Sequence, residues 1–427
     1  MSEGSAAAAA AAESADRADR ADRADSAPAI IRLDNGIRNY AWGSTTDIPR
    51  LLGLPVTGEP VAELWMGAHP DQPSRARDQR GGAGLDELIA SDPIGLLGAP
   101  TRQRYGARLP YLLKLLAAGK CLSIQVHPNQ EQARAGYDAE VGGGPAVDAG
   151  HRNYTDPHHK PELLCALTEF EALCGFRPVA ATLDYLGALI GAGAGRLAGL
   201  RELLGGRDPL RAAFTELLEL SGPSREVIVA ETTAAARALV AEGGRWSGAA
   251  RASVLAAGDF PGDIGVVLAV LLNYVRLNPG EAIFLRAGNV HAYLRGFGVE
   301  ILANSDNVLR CGLTEKHIDV AELLKVTDFR ALDEPLWPRT SLPSGQPAFV
   351  VPVPDFELVV LQDMAEFTPV AVAGPSLVVC TAGSLQVRAA GEIVSVAQGQ
   401  SVFVPARNGP PQVRAQSAHG FLAAVGG

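Results

Sequence analysis

The chain has 427 residues, of which 47% are hydrophobic and 20% charged, and its formal net charge is -10. Single hydrophobic cores stop growing at about 250–300 residues, so a chain of this length is expected to form two or three domains. The negative net charge argues against a polyanionic partner such as nucleic acid. A local group of lysines and arginines could still bind a small phosphorylated molecule.

Residues 1–28 contain a run of alanines and then a repeated Ala-Asp-Arg unit. Acidic and basic residues are mixed along this segment, which is untypical of both signal and transit peptides, so we predict a disordered tail. The longest apolar stretch elsewhere, Gly265 to Leu272, is far shorter than the ~18 residues of a membrane span. We therefore expect a soluble protein without a membrane partner.

The five cysteines are odd in number and none belongs to a CxxC pair, which argues against a disulfide framework and against a zinc ribbon. Free thiols fit a reducing, cytoplasmic compartment, and we interpret these as core residues without chemistry. They are Cys121, Cys165, Cys174, Cys311 and Cys380.

Residues 29–178 consist of short β-rich segments punctuated by Gly and Pro, which predict a sheet domain with elaborate loops. Over residues 179–269 the composition shifts to Ala, Leu, Glu and Arg at helical spacing, which predicts a helical insertion. The sheet pattern returns at residue 270. We therefore assign 29–178 together with 270–330 to one sheet domain and 331–427 to a second.

In the last third of the chain, regular short strands between Gly-containing turns are typical of an antiparallel sandwich or jelly roll. The predicted strands are Leu377–Cys380, Leu385–Arg388, Ile393–Val396 and Val402–Val404. The fold class expected from all these segments is mixed and mainly β, with two sheet domains and a helical insertion.

An internal match supports two related sheet domains. The segment Gly280–Asn289 aligns without gaps on Gly399–Asn408, with six identical or near-identical positions. Two strands of merely similar chemistry would also explain so short a match. If the repeat is real, His291 in the first copy lies opposite Pro410 in the second, so we predict that the C-terminal domain holds no metal.

A candidate metal site begins in the segment Leu122–Pro128. Alternate residues on a strand project from the same face, so Ser123, Gln125 and His127 should point together, opposite the intervening aliphatic residues. This pattern describes a strand that lines a cavity. A solvated strand face would show the same pattern.

Two further segments could complete this site, because Glu162 in His158–Glu162 offers a carboxylate and His291 in Gly288–Leu294 offers an imidazole. Two histidines, one glutamate and one amide oxygen form a mixed set suited to zinc, with a position left for water or substrate. Each histidine taken alone could equally be a structural residue.

Seven motifs in the range from Arg32 to Phe329 resemble those of type I mannose-6-phosphate isomerases, and they occur in that family's order. They are Tyr40–Ser44, Ala62–Pro70, Leu109–Lys114, Leu122–Pro128, His159–Glu162, Gly288–Leu294 and Ala303–Thr314. The resemblance implies a cupin-type catalytic jelly roll, a helical domain and a second jelly roll. It also implies a monomeric enzyme that interconverts mannose 6-phosphate and fructose 6-phosphate through an enediol.

The resemblance implies one Zn²⁺ per chain, bound by four side chains. These are Gln125, His127, Glu162 and His291. It further implies catalytic roles for four residues that surround the metal. These are Glu300 and Asp306 as acid or base, Arg310 as a stabiliser of charge or an anchor for substrate, and Lys160 as a group that could hold an oxygen or depress a neighbouring pKa.

The substrate contacts that the resemblance implies include phosphate-side groups and pocket walls. They are Ser123, Lys114, Lys316, Trp42 and Tyr293. Alternatives stay open, because Glu300 could simply pair with Arg310, and Lys114 could be a solvated lysine. The chain departs from many family members at Glu315, which we expect to alter loop shape, and at Phe297, which we expect to alter the pocket edge.

Two rival functions are compatible with parts of this pattern. In a cupin dioxygenase, two histidines and a carboxylate can hold iron, but the amide ligand and the nearby basic residues weigh against iron here. A sugar-phosphate sensor could dispense with Glu300 or with one of the zinc ligands, and neither is missing. A small sugar phosphate is the partner that we expect.

Overall fold

A computed structural model describes residues 28–77, 82–146 and 149–427. Nearly all of the predicted N-terminal tail, residues 1–27, lies outside the described residues. The described chain forms two antiparallel sheets and a helical segment inserted into the first of them. All five cysteines are buried and free, as predicted. No helix in the described ranges has the length and apolar character needed to cross a membrane.

The first sheet follows the order β13-β10-β7-β11-β5-β3-β2, and β11 continues into a smaller group of strands that includes β6, β8, β9 and β12. Its strands are β2 (Gly36–Arg38), β3 (Glu63–Met66), β5 (Tyr111–Ala118), β6 (Ile124–Val126), β7 (Glu162–Ala166), β8 (Phe170–Phe176), β9 (Leu272–Leu277), β10 (Ala282–Leu285), β11 (His291–Ala303), β12 (Leu309–Gly312) and β13 (Leu336–Trp337).

The second sheet follows the order β14-β15-β16-β21-β17-β20-β1-β4, with β18 paired to both β19 and β21. Its strands are β1 (Ile31–Asp34), β4 (Arg75–Ala76), β14 (Thr340–Ser341), β15 (Pro347–Val350), β16 (Glu357–Pro369), β17 (Ala373–Ala382), β18 (Ser384–Ala389), β19 (Glu392–Ala397), β20 (Ser401–Val404) and β21 (Gln412–Val425). The four strands predicted here from the sequence are all present.

The segment predicted to be helical consists of helices joined by short turns, whereas helices elsewhere were not predicted. The inserted helices are Val179–Gly191, Ala198–Leu204, Pro209–Glu219, Gly222–Glu242, Ser247–Asp259 and Gly265–Leu268, with 3-10 turns at Gly195–Leu197 and Ala269–Leu271. The others are Asp47–Leu51, Leu85–Ser91, Pro93–Leu97, Ala99–Tyr105, Gln130–Gly143 and Val320–Val326, with a 3-10 turn at Ala406–Asn408.

Successive side chains of strand β5 point to opposite faces of the first sheet, and this alternation explains how the two sheets pack. Tyr111, Leu113 and Leu115 belong to a core that is shared with the second sheet. The Tyr111 hydroxyl donates to the carbonyl oxygens of both Pro375 and Ala423 at 3.1 Å. Because successive side chains point to opposite faces, Lys114 projects away from this core. One face of the first sheet is therefore free to form a polar cavity.

The first strand of the described chain crosses between the predicted domains. β1 pairs with β20 of the second sheet, with Ile31 opposite Phe403 and Leu33 opposite Ser401. The first strand of the described chain therefore belongs to the C-terminal sheet, and all strands of the first sheet follow it in the sequence. The residue boundaries assigned to the domains remain a prediction.

Candidate metal centre and substrate cavity

Strand β6 brings three predicted site residues onto one face. Gln125 lies directly opposite His291 of β11 on one side and opposite Arg310 of β12 on the other. Directly opposed residues of antiparallel strands project from the same face of a sheet. Ile124 and Val126 point the other way, into the core formed with the inserted helices. The predicted division into a polar and an aliphatic face is confirmed for this strand, whereas Leu122, which was predicted on the aliphatic face, lines the cavity beside Ser123.

Backbone carbonyl groups fix the orientation of both imidazole rings. The Nδ1 atom of His127 lies 2.8 Å from the carbonyl oxygen of Asn307, and the Nδ1 atom of His291 lies 2.9 Å from that of Asn289. A carbonyl oxygen can only accept, so each Nδ1 carries the proton and donates. Each Nε2 is then left with a free lone pair, the form in which histidine binds a metal.

These lone pairs face a carboxylate across a short gap. The Nε2 atoms of His127 and His291 lie 3.4 Å from the two carboxylate oxygens of Glu162, one each. Neither Nε2 atom nor Glu162 Oε2 has a hydrogen-bond partner among the described residues, although all three are buried. Acceptors that face one another without a proton between them repel, and a cation placed among them would remove that repulsion. The residues therefore fit a metal ion.

The pKa values of His127 and Glu162 also favour metal binding. Burial lowers the pKa of His127 to about 4, so the ring is neutral near pH 7. Burial opposes the charge of Glu162, but Lys160, whose Nζ lies 3.0 Å from Glu162 Oε1, outweighs it and holds the pKa of Glu162 well below its ordinary value. Neutral imidazoles and an ionised carboxylate are the protonation states that metal ligands need.

A cavity of about 670 Å³ opens beside the metal group. Among the predicted site residues that line it are Trp42, Lys114, Ser123, Gln125, Lys160, Glu162, Tyr293, Glu300, Asp306, Arg310 and Lys316. His127 and His291 are 1% and 0% exposed and lie behind its wall. The structure thus brings together all the residues that the sequence selected, and their individual roles stay predictions.

Glu300 lines the cavity and is buried. It accepts a hydrogen bond from the Tyr293 hydroxyl at 2.8 Å, and Lys114 Nζ lies 3.4 Å away. Burial raises the pKa of Glu300 to about 6 even though the Lys114 charge opposes this rise. Glu300 can therefore gain and lose a proton close to neutral pH.

Lys114 is held by carboxylates rather than facing solvent. Its Nζ lies 3.6 Å from Glu63 and sits 4.8 Å from the centre of the Trp65 ring, in addition to its contact with Glu300. Burial would lower the pKa of Lys114, but Glu63 and Glu300 raise it above the ordinary value. The alternative of a solvated lysine is wrong, and the predicted contact between Lys114 and substrate stays a prediction.

Asp306 has an environment opposite to that of Glu300. Its side chain is 45% exposed, and its carboxylate lies 3.0 Å from His69 Nε2. Burial would raise the pKa of Asp306, but the hydrogen bond from His69 and the charge of Lys160 outweigh this and lower the pKa. Asp306 is therefore ionised at neutral pH and able to accept a proton.

Arg310 and Lys316 form a positive region of the cavity wall. Within the described ranges no carboxylate forms an ion pair with Arg310, because Glu300 contacts Lys114 and Asp306 contacts His69. Both side chains line the same cavity, and the charge of Arg310 lowers the pKa of Lys316, as burial also does. Two neighbouring cations without a protein counter-ion are suited to an anionic ligand.

Comparisons with known proteins identify the family. A family model described as "Phosphomannose isomerase type I, catalytic domain" matches residues 30–179. The chain is 37% identical to mannose-6-phosphate isomerase of Escherichia coli K12, covering 92% of this chain and 98% of that protein. It is 36% identical to the Salmonella typhimurium enzyme, with 89% and 95% covered. The chain belongs to the type I phosphomannose isomerase family.

A solved structure of a member of this family supports the same assignment. Mannose 6-phosphate isomerase from Salmonella typhimurium, bound to fructose 6-phosphate and zinc, superposes with a TM-score of 0.83 at 32% identity and covers 93% of this chain and 100% of that one. The predicted fold class is therefore confirmed as two cupin-type jelly rolls with a helical insertion.

The phosphomannose isomerase motifs revealed most of the cavity but not all of it. Asp259 and Phe260 enter the cavity wall from the end of an inserted helix, which no motif in the sequence indicated. His69 was part of a recognised motif, yet nothing in the sequence placed it beside Asp306. The expectation for Phe297 was wrong, because this residue packs into the core between the two sheets and not at the pocket edge.

Proposed function

We propose that this chain is a zinc-dependent aldose–ketose isomerase that interconverts mannose 6-phosphate and fructose 6-phosphate through an enediol. The observation that carries the proposal is the set of three buried ligand atoms on His127, Glu162 and His291 that have no hydrogen-bond partner among the described residues and lie beside a cavity lined by both carboxylates and cations. Family membership supports the choice of substrates.

The zinc ion would be held by these three side chains together with the amide oxygen of Gln125. Bound there, zinc would polarise the carbonyl and hydroxyl oxygens of the sugar as a Lewis acid. Lys160, beside Glu162, can donate to one of these oxygens. The Gln125 amide in the set favours zinc over the iron of a cupin dioxygenase, because iron oxygenases use two histidines and a carboxylate.

The two carboxyl groups divide the proton transfers, because their surroundings move their pKa values apart. Starting from mannose 6-phosphate, ionised Asp306 accepts the proton from C2, and the electron pair of that C–H bond forms the C1=C2 bond of the enediol. The oxygen at C1 gains a proton and the oxygen at C2 loses one, with Glu300 as the group that relays it. Asp306 then returns its proton to C1.

The cations on the cavity wall hold the charged parts of the substrate. Arg310 presents a planar fork with a permanent charge, and Lys316 presents a point charge close to it. We assign the phosphate to Lys316 and Ser123, and the developing negative charge on the sugar oxygens to Arg310.

An isotope experiment in D₂O tests the proposed reaction. Zinc-loaded protein is supplied with mannose 6-phosphate, and the fructose 6-phosphate formed is examined by NMR. Since the Asp306 side chain is 45% exposed, its proton should exchange with solvent, and deuterium should appear at C1 of part of the product. Product without any deuterium would contradict an enediol path in which the proton on Asp306 exchanges with solvent, and the absence of product would contradict the proposed function.

A further inference from the structure

His69 is a buried histidine with a defined partner on each ring nitrogen. It is 2% exposed and lies in the turn that follows strand β3. The backbone N–H of Asp71 donates to Nδ1 at 3.2 Å. A nitrogen that accepts a hydrogen bond carries no proton, so the proton of the neutral ring is on Nε2. Nε2 in turn lies 3.0 Å from the Asp306 carboxylate, to which it donates.

The turn that carries His69 is held in place by its own hydrogen bonds. The N–H of Gln72 donates to the carbonyl oxygen of His69, and Gly67 and Ser74 bond to each other in both directions across the base of the turn. The edge of the Trp65 ring packs against the imidazole, with ring centres 4.8 Å apart and an angle of 73°. The imidazole thus has little freedom to rotate.

Asp306 is fixed on its backbone side by a separate contact. Its N–H donates to the Asp156 carboxylate at 2.8 Å. That bond fixes the main chain but leaves the partly exposed side chain free to turn about its own torsions. Among the described residues, His69 is the hydrogen-bond donor that the Asp306 carboxylate contacts directly.

We propose that His69 is a positioning residue that holds the Asp306 carboxylate in the orientation required for proton transfer. The proposal rests on the proposed function, in which Asp306 is the base. His69 itself does not line the cavity, so it acts through Asp306 and not on the substrate. A base displaced by about 1 Å can cost on the order of a hundredfold in rate, so one hydrogen bond of this kind is kinetically important.

Two variants that carry the same amide group separate positioning from packing. In His69→Gln the amide nitrogen reaches about as far as imidazole Nε2, whereas in His69→Asn it is one methylene shorter. Both lose the ring that packs on Trp65. We expect His69→Asn to lower kcat by tenfold or more, up to about a hundredfold, with KM changed less than about threefold and zinc content retained. His69→Gln should recover most of the lost kcat.

The Asp306→Asn background distinguishes failure of this inference from failure of the proposed function. If His69 acts through Asp306, adding His69→Asn to Asp306→Asn should cause no further loss. Full activity of Asp306→Asn would show that Asp306 is not the base, whatever effect the His69 substitutions have. An inactive Asp306→Asn with a fully active His69→Asn would overturn the role of His69 alone.

Three other outcomes would also overturn the inference. One is an equal loss in the Gln and Asn variants, and another is loss of folding in both, since either result would assign His69 to packing. The third is a second zinc per chain in the wild type that His69→Asn removes, because His69, Asp71 and Asp306 are close enough to hold a cation.

Discussion

At the scale of single residues, the cationic side chains of the cavity differ in whether a carboxylate lies beside them. Lys114 contacts both Glu63 and Glu300, and Lys160 contacts Glu162. Arg310 differs, since burial lowers its pKa while no carboxylate of the described chain offsets its charge. Arg310 is partly buried, and a cation in such a position without a counter-ion is destabilising unless a ligand supplies the opposite charge. The alternative that Glu300 merely pairs with Arg310 is therefore wrong.

We predict that Arg310→Ala lowers turnover by roughly a hundredfold or more, the scale of one lost oxyanion stabiliser. Arg310→Lys should recover little of it, because an ammonium group cannot reproduce the planar two-donor fork. Turnover, zinc content and melting temperature are measured on the same preparations. Near-normal turnover of Arg310→Ala would show that Arg310 has no catalytic role. A loss of zinc in parallel with the loss of activity would show that Arg310 acts by maintaining the structure of the site.

At the scale of secondary structure, the sequence predicted the elements whose pattern is local. The strand around Gln125 and the helical segment after residue 179 were recognisable because period-2 and helical spacing depend only on neighbouring residues. The turns at Gly280 and Gly399, both with positive φ and both followed by a strand, match the internal alignment. The helix Gln130–Gly143 was missed because its sequence has low apolar content and its C-terminal end runs into a Gly-rich segment.

The contacts of the site could not be predicted in the same way. His69 and Asp306 are more than two hundred residues apart, and only the pairing of β3, β5 and β11 brings their segments together. Asp259 reaches the cavity because a helix ends there, and its Oδ2 accepts from the Cys121 N–H at 2.8 Å. Such contacts depend on the register of strand pairing, which local sequence patterns do not predict. The ligand set was recoverable only because the family motifs carry it.

Glu357, the first residue of β16, gives a prediction about strand stability and pH. It is buried without an ion-pair partner in the described part of the chain, and burial raises its pKa from 4.5 to about 6. Its contribution to stability is thus present below pH 4.5 and is lost as pH rises through 6. We expect the stability of Glu357→Gln relative to wild type to increase by about 2 kcal/mol between pH 4 and pH 8.

Urea unfolding at the two pH values measures this change, with Glu366→Gln as the control. Glu366 lies on the same strand but is exposed. Its substitution should therefore shift the unfolding midpoint equally at both pH values. A midpoint difference for Glu357→Gln that does not depend on pH would show that Glu357 is not forced to ionise in a buried position.

At the scale of the whole molecule, all three parts of the chain contribute to one site. The first sheet supplies the ligands, and Asp259 and Phe260 of the helical segment complete the cavity wall. The C-terminal sheet packs against the first sheet through the shared core. The C-terminal part of the chain also contacts the segment before Glu162, because the Asp355 carboxylate lies 3.0 Å from His159 Nε2. The predicted absence of metal in the C-terminal domain and the monomeric state stay predictions.

The most direct test of the account compares bound zinc with turnover in the same preparation. We predict that chelation abolishes the conversion of mannose 6-phosphate, and that activity returns in proportion to added zinc and is complete at one zinc per chain. His127→Ala should bind zinc poorly and stay inactive, because it removes one of the proposed ligands from the metal site. Full turnover by protein shown to contain no metal would contradict the account.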